Sequence, residues 1–236
     1  MTLDVNKKDG SRGAVETIRR DPDGTKKRIL DAATHEFSTK GLGGARIADI
    51  ADRAGVNKRM LYHYFGDKDA LFLVVLEGAY AAIRRREREM ALDHLPPEEA
   101  MRRLVETTWD HYIEHPEFLN LLNSENLHKA RHLRNSTRAR EMHSPFADMI
   151  AQILRRGEDA KVFRAGVDPV DLYISIAGLG YFYLSNRYTL SVIFDRDLEA
   201  PDNLARRRAH MVEVVLGYLR RSGGVRPRPE PDRALA

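Results

Sequence analysis

The stretch GLGGARIADIADRAGVNKRMLYHYFGDKDAL, residues 41–71, decides the fold of this 236-residue chain. The apolar residues of its first half recur at helical spacing: Ile47, Ile50, Ala51 and Ala54. This period predicts a short helix. Gly55 then supplies the positive φ of a tight turn, and Asn57 is a good N-cap for a second helix that runs to Tyr64. The spacing predicts a helix-turn-helix, a unit that enters the major groove of DNA.

The second helix of this motif is predicted to turn a cationic, polar face outward. Lysine, arginine, tyrosine and histidine side chains on such a face reach phosphates and base edges. The predicted DNA contacts are Arg46, Asn57, Lys58, Arg59, Tyr62, His63, Tyr64 and Lys68. Tyr64 also belongs to the helix side that is expected to face the core.

Residues 24–72 resemble the DNA-binding region of the TetR family of bacterial transcription regulators. The resemblance rests on Phe37, Gly41, Ile47, Ile50, Ala51, Ala54, Gly55, Val56, Leu61, Tyr62, Tyr64, Phe65, Lys68 and Leu71. The chain departs from the family at Ala45, where the family usually has a threonine that caps a helix. Arg46 is expected to replace the lost phosphate contact. Residues 115–133 also resemble the subgroup that includes the pyrimidine-utilisation repressor.

The remaining sequence shows helical periodicity and almost no strand pattern, which predicts an all-α protein with a small head domain and a larger body. The predicted divisions are a flexible basic arm (1–23), a helix-turn-helix domain (24–72) whose linking helix continues to about residue 92, a ligand-binding and dimerisation domain (93–221) and a disordered tail (222–236). The arm is either a further DNA contact or a plain disordered segment.

Composition excludes several classes of function. The chain has no cysteine, which rules out disulfides, thiolate metal sites and cysteine nucleophiles. No GxSxG, HExxH or Walker motif occurs, so we expect neither an enzyme nor a cofactor. The longest strictly apolar run, residues 70–76, is far shorter than a membrane span, and the chain starts without a secretory signal. These features predict a cytoplasmic protein that does not contact membranes.

The distribution of charge favours DNA as a partner of the head. The whole chain carries a net charge of +4. Residues 1–66 hold 13 basic and 9 acidic residues, which equals the whole excess. The positive charge therefore lies with the arm and the head, where a polyanion would bind.

The family resemblance implies a small-molecule pocket in the body. Its candidate lining residues are Trp109, Tyr112, Phe118, Tyr173 and Tyr181, with Asn123 and Asn126 as polar contacts. For each aromatic residue taken alone, packing in the core is the alternative. Two histidine pairs, His111 with His115 and His128 with His132, have the i, i+4 spacing of metal ligands. No carboxylate is placed by the sequence to complete such a site, so we predict no metal.

A helix-turn-helix reads few base pairs, so specificity requires two heads on a pseudo-palindromic operator. We therefore expect a homodimer. Small and apolar residues of the last two long helices form the predicted seam: Ala177, Gly178, Tyr181, Val212, Val215, Leu216 and Leu219. The basic cluster Arg84, Arg85, Arg86 and Arg88 is interpreted as a solvated face paired with Glu87 and Glu89, and a second DNA contact is the alternative.

Together these patterns predict a ligand-responsive DNA-binding regulator. We expect a repressor that a small-molecule effector releases from its operator by shifting the fourth helix. Control by a protein partner, activation of transcription, and a helical enzyme with an incidental helix-turn-helix are the alternatives.

Overall fold

A computed structural model describes residues 21–220, so the predicted arm up to residue 20 and the predicted tail lie outside the described residues. The described residues form ten α-helices: α1 (Pro22–Gly44), α2 (Ile47–Ala54), α3 (Lys58–Phe65), α4 (Lys68–Glu89), α5 (Pro97–Glu114), α6 (Pro116–Leu127), α7 (Thr137–Asp159), α8 (Pro169–Ser185), α9 (Arg187–Ile193) and α10 (Pro201–Leu219). The fold is all-α, as predicted. Helix α1 already begins at Pro22, capped by Asp21, which accepts a hydrogen bond from the Gly24 N–H at 2.9 Å.

The head is built from α1, α2, α3 and the first half of α4. Its centre holds Phe37 and Phe72, whose rings meet edge to face with centroids 5.2 Å apart. Ile29, Ile50 and Leu71 are buried around them. Burial of this apolar surface holds the two short helices α2 and α3 against α1 and α4.

The body packs α5, α7, α8 and α10 around a second core that includes Met101, Trp109, Ile150 and Leu216. Helix α4 joins the two cores, because its residues Ala79 and Tyr80 pack against both. Of the described helices, none is long and apolar enough to cross a membrane.

Helix α6 contributes to the head as well as to the body. Leu121 is fully buried within the head's core cluster. The hydroxyl of Ser124 accepts a hydrogen bond from the backbone N–H of Leu42 at 3.1 Å. Gly41, with φ 65° and ψ 172°, breaks α1 just before this contact. The positive φ there favours glycine and brings the end of α1 onto α6.

Two features of the body differ from what the sequence predicts. Helix α7 runs past Gly157 to Asp159, although a glycine that follows an apolar helical stripe commonly predicts the end of the helix. Gly157 instead makes room for packing, since a Cβ there would lie 1.9 Å from the Phe163 ring. The short helix α9 gives no sequence signal, because every residue in it is at least partly exposed and no apolar stripe develops.

Candidate DNA-binding interface and effector region

The turn between α2 and α3 fixes the position of the candidate DNA-binding helix. Gly55 is left-handed, with φ 65° and ψ 39°, and its N–H faces the carbonyls of Ala51 and Asp52. Asn57 caps α3 by accepting the Met60 N–H at 3.1 Å. The glycine turn and the cap together set the angle of α3 to the rest of the head.

Helix α3 buries Leu61 against the head and leaves its other side open to solvent. Four predicted contacts lie on that open side: Lys58, Arg59, Tyr62 and His63. Tyr62 is 52% exposed, so most of its ring edge and its hydroxyl are open to a partner. Two cations, an imidazole and a phenol thus form a continuous surface of the kind that binds phosphates and base edges.

Three other predicted contacts lie at the edges of this surface. Tyr64 is half-buried against the head's core, and the Lys26 ammonium lies 5.5 Å from its ring centroid. Lys68 is partly buried in the first turn of α4. The amide oxygen of Asn57 is engaged in capping. These residues can therefore contact DNA only from the rim of the surface.

Arg46 is exposed at the N-cap position of α2 and makes no capping hydrogen bond. Ala45, where the family has threonine, is buried and lies one residue before that position. Sequence reasoning missed Lys40, which holds Glu36 at 2.6 Å and Asp49 of α2 at 2.9 Å. These hydrogen bonds raise the pKa of Lys40 and lower the pKa of Asp49. Of the two acidic side chains on α2, Asp49 is thereby paired with a cation, while Asp52 is exposed.

The predicted effector-binding residues separate into several environments. Trp109 and Phe118 are buried in the body core, with the Trp109 ring 5.7 Å from that of Tyr183. Tyr112 lines a cavity of about 230 Å³ between α5, α6, α8 and the start of α10. Asn126 lies on the solvent side of α6 and is exposed. The prediction that it lines a pocket in the body is therefore wrong.

The remaining polar candidates form hydrogen bonds within the body. The Tyr181 hydroxyl donates to the side-chain oxygen of Asn123, which ties α8 to α6. The Tyr173 hydroxyl accepts from Arg84 at 3.0 Å. These tyrosines are therefore held by internal partners.

Most of the predicted dimer seam faces the protein's own core. On α10, Val212, Val215, Leu216 and Leu219 are all buried in the body's core cluster. Tyr181 packs towards α6. The four assignments on α10 are wrong, because the apolar stripe of α10 is the one that closes the body. Tyr181 is half-buried on α8, and its place in the seam stays a prediction. Ala177 is half-exposed and Gly178 is exposed, so these two can still face a partner.

A different set of apolar side chains is open to solvent on the same two helices. On α8, Ile174 and Phe182 are each 60% exposed, and Gly178 lies between them at helical spacing. On α10, Val214 and Tyr218 are exposed. We call these five residues the α8/α10 face.

The histidines of the two pairs lie in different surroundings: His128 and His132 are hydrogen-bonded, whereas the buried Nδ1 of His111 has no hydrogen-bond partner. His132 is buried and its Nδ1 lies 2.5 Å from a carboxylate oxygen of Glu125, while His128 Nδ1 contacts the Ser124 carbonyl at 2.7 Å. His111 is buried 4.6 Å from the His115 ring, and burial lowers the pKa of His111 to about 4. Within residues 21–220 no group of three potential ligands could hold a metal ion.

Sequence reasoning missed a buried charged pair on α4. Arg84 and Glu87 are each 1% exposed, so the prediction of a solvated basic face is wrong for both. Arg84 Nη1 lies 3.0 Å from Glu87 Oε2, but neither atom makes a well-formed hydrogen bond. A buried polar group without a partner costs about 1–3 kcal/mol. Only the three-dimensional packing of α7 and α8 over α4 buries the pair, which helical spacing alone does not show.

Two family comparisons match this architecture. Residues 29–75 match the family described as bacterial regulatory proteins, tetR family. Residues 97–215, which cover just over half of the chain, match the tetracyclin repressor-like C-terminal domain. The chain belongs to the TetR family. Members of this family are transcriptional regulators, and the chain is accordingly a DNA-binding regulator and not an enzyme.

One curated relative and two solved structures are similar to this chain over most of its length. The HTH-type transcriptional repressor NicS of Pseudomonas putida is 39% identical over 199 residues, which are 84% of this chain and 94% of NicS. A structure of the regulator FadR from Bacillus subtilis in complex with stearoyl-CoA has a TM-score of 0.60 at 17% identity, covering 82% and 98% of the two chains. The ketosteroid regulator KstR2 of Mycobacterium tuberculosis has a TM-score of 0.57 at 21% identity, covering 83% and 96%.

Proposed function

We propose that this TetR-family protein is a repressor that binds a pseudo-palindromic operator as a homodimer and leaves it when a small-molecule effector binds the body. The observation that carries the proposal is the exposed, cationic side of α3, with Tyr62 at its middle. The α2–α3 turn holds this side rigidly outward. An exposed face of this composition has no structural role within the head, and DNA supplies phosphates and base edges that fit it.

The proposed DNA contacts divide by position. Lys58, Arg59, Tyr62 and His63 lie on the open side of α3 and are expected to enter the groove. Arg46 at the start of α2 is expected to contact the phosphate backbone, as are the rim residues of the surface. Backbone contacts position the head, and the α3 side chains provide sequence discrimination.

Dimerisation is proposed to occur through the α8/α10 face. Its exposed apolar side chains are costly in water and would be covered by the same face of a second copy. Gly178 allows close approach, since the space beyond it is open. Two heads on one dimer would then meet two half-sites about 35 Å apart, or a modest multiple of that distance.

Two routes connect the body with the head. Helix α4 runs from the head directly into the body core. Helix α6 inserts Leu121 into the head's core, and the loop after α6 places Arg131 2.7 Å from Asp69 in the first turn of α4. We infer that an effector in the body moves both helices and thereby changes the spacing of the two heads.

A direct DNA-binding experiment tests the proposal. The full-length protein is used to select fragments from a random DNA pool, and the affinity for the best fragment is measured by fluorescence anisotropy at several salt concentrations. We expect a two-fold symmetric motif and a steep fall of affinity with salt, with a log–log slope of about −4 or steeper. Absence of salt-sensitive, sequence-selective binding would contradict the proposal.

Further measurements distinguish a small-molecule effector from a protein partner, and a repressor from an activator. The FadR structure holds stearoyl-CoA in the same fold, which favours a small-molecule effector over control by a protein partner. A protein partner would be supported by DNA release that requires another polypeptide and no small molecule. A transcription assay with the operator placed over or upstream of a promoter distinguishes a repressor from an activator.

A further inference from the structure

The buried pair Arg84 and Glu87 lies at a cavity that none of the predicted effector residues line. The cavity has a volume of about 350 Å³ and lies between the second half of α4 and helix α7. A volume of this size is at the lower end of the range for small-ligand sites. The cavity therefore borders α4, the helix that connects the body to the head.

Four polar atoms of the pair lack hydrogen-bond partners. They are Nε and Nη1 of Arg84 and both carboxylate oxygens of Glu87. Arg84 donates one hydrogen bond, from Nη2 to the Tyr173 hydroxyl at 3.0 Å. The guanidinium lies over the Phe146 ring, 3.8 Å from its centroid, which fixes its plane. The guanidinium is therefore held in one plane beside the cavity, with two nitrogens that make no hydrogen bond and have almost no exposed surface, so a ligand reaches them only when a covering side chain moves.

The walls of the cavity are mixed in character. The apolar part is formed by Leu92, Met142, Pro145, Phe146 and Met149. Three further charged residues line the cavity and are exposed to solvent. Arg88 lies at the end of α4, Asp93 follows that helix, and Asp148 lies on α7. The buried end of the cavity thus holds the Arg84–Glu87 pair, one wall is apolar, and the solvent side carries the other charged groups.

We propose that this cavity binds a small organic monocarboxylate with an apolar body. The inference rests on the proposed function, since it names the chemical class of the effector. The ligand carboxylate accepts hydrogen bonds from the free donors of Arg84, and its apolar part lies along the methionine and phenylalanine wall. A charge-assisted hydrogen bond of this type is stronger than one between neutral groups.

The state of Glu87 supports an anionic ligand. Burial raises the pKa of Glu87 to about 8, because desolvation of the carboxylate outweighs the attraction of Arg84 and Arg88. Glu87 therefore offsets the charge of Arg84 less than an ordinary carboxylate at 3.0 Å would, which leaves the guanidinium attractive to a second anion. A protonated Glu87 can also donate its O–H to the bound carboxylate.

The test compares acids with their neutral carboxamides on the full-length protein. The probes are benzoate, phenylacetate and hexanoate, each beside benzamide, phenylacetamide or hexanamide, at equal ionic strength. We expect at least one acid to raise the Tm by about 3 °C or more at millimolar concentration, while its carboxamide gives less than about 1 °C. The same acid is expected to weaken operator binding, because the coupling between two sites is reciprocal.

Matched variants locate the effect. In Arg84→Met/Glu87→Met both charges are replaced by apolar side chains of similar length, a change that buried ion pairs often tolerate. We expect the acid-induced shift to be lost in this variant and kept in Arg85→Met, which alters an exposed arginine of the same helix. If the double variant does not melt cooperatively, Met149→Trp fills the cavity and is expected to abolish the shift with the pair intact.

Some results would overturn the proposal. They are a shift that is equal for acid and carboxamide, a shift that persists in Met149→Trp, or crystals grown with each acid that show ordered water alone at Arg84. If the protein binds its operator but no acid acts, the carboxylate inference alone fails. If salt-sensitive operator binding is absent, the proposed function fails whatever the acids do.

Discussion

At the scale of single residues, Tyr62 is a large side chain on the open side of α3 that contributes little to the head's core. It is 52% exposed, and the neighbouring Leu61 makes the core contact of this turn of α3. Replacing Tyr62 with alanine is expected to lower affinity for the selected operator about tenfold, a loss typical of one side chain at a groove. Anisotropy titration measures the affinity, and thermal melting should be unchanged.

Tyr188 is a matched control for that change. It is a 62% exposed tyrosine on α9 of the body, far along the chain from the head. Tyr188→Ala is expected to leave operator affinity within about twofold of the wild type. If Tyr62→Ala also retains full affinity, Tyr62 does not contact DNA.

Glu87 predicts a pH dependence of stability. Its pKa is about 8 in the folded protein and near 4.5 when unfolded, so between these values the folded state binds more protons. The free energy of unfolding therefore falls as pH rises towards 8, and levels off above it. Arg84 and Arg88 face Glu87 from its own helix, while Tyr112 and Tyr173 face the same region from α5 and α8 with raised pKa values.

The useful window for this measurement is pH 7 to 9. His111, with a pKa of about 4, is neutral in the folded protein, but at pH 7 roughly a quarter of its unfolded imidazole is still protonated, because the unfolded pKa is 6.5. It therefore adds a smaller slope of opposite sign near pH 7, which fades towards pH 8 and is the same in Glu87→Gln. Urea unfolding of the wild type is expected to show lower stability at pH 8 than at pH 7. Glu87→Gln is expected to flatten this trend, and an unchanged slope in that variant would show that Glu87 is not the group responsible.

At the scale of elements, the α2–α3 turn depends on one backbone conformation. Gly55 has φ 65° with no atom within 4 Å of the place a Cβ would take, so strain there is purely conformational. Gly55→Ala is expected to cost about 1 kcal/mol. Gly78 in the middle of α4 has equally open space and ordinary helical geometry, so Gly78→Ala is expected to stabilise by about 0.5–1 kcal/mol.

Denaturant unfolding measures both changes, and operator affinity should fall only for Gly55→Ala. Opposite signs for the same chemical substitution would separate backbone strain from helix propensity. Two changes of equal sign and size would contradict the assignment of strain to the turn.

How well each element can be predicted depends on how far apart in the sequence its interacting residues lie. The helix-turn-helix is encoded locally, since Gly55, Asn57 and the period of α2 all lie within a few residues of one another. The burial of Arg84 depends on Phe146 and Tyr173, which are 62 and 89 residues away in sequence. No helical period contains that information. For the same reason the sequence located the apolar stripe of α10 but assigned it to a partner instead of to the core.

At the scale of the whole molecule, the α8/α10 face is expected to hold two copies together. Phe182→Glu introduces a charge on the α8/α10 face, from which water has to be excluded when two copies associate. We expect this variant to dimerise at least about tenfold more weakly, as measured by sedimentation equilibrium. Its operator affinity should fall in parallel, because a single head reads too few base pairs.

Leu127 provides the control for this change. It is an 82% exposed leucine on α6, away from the α8/α10 face in sequence and on a different helix. Leu127→Glu is expected to remain dimeric. If Phe182→Glu and Ile174→Glu together also remain dimeric, the two copies associate through another surface.

The seating of Leu121 in the head has a consequence for engineering. Chimeric sensors are made by grafting the DNA-reading part of one regulator onto the sensing part of another. A graft cut between α4 and α5 would leave this head without a residue of its own interior and without the Ser124 hydroxyl that receives the Leu42 N–H. Functional chimeras of this protein are therefore expected to need α6 from the same parent as α1, or compensating changes at the two positions.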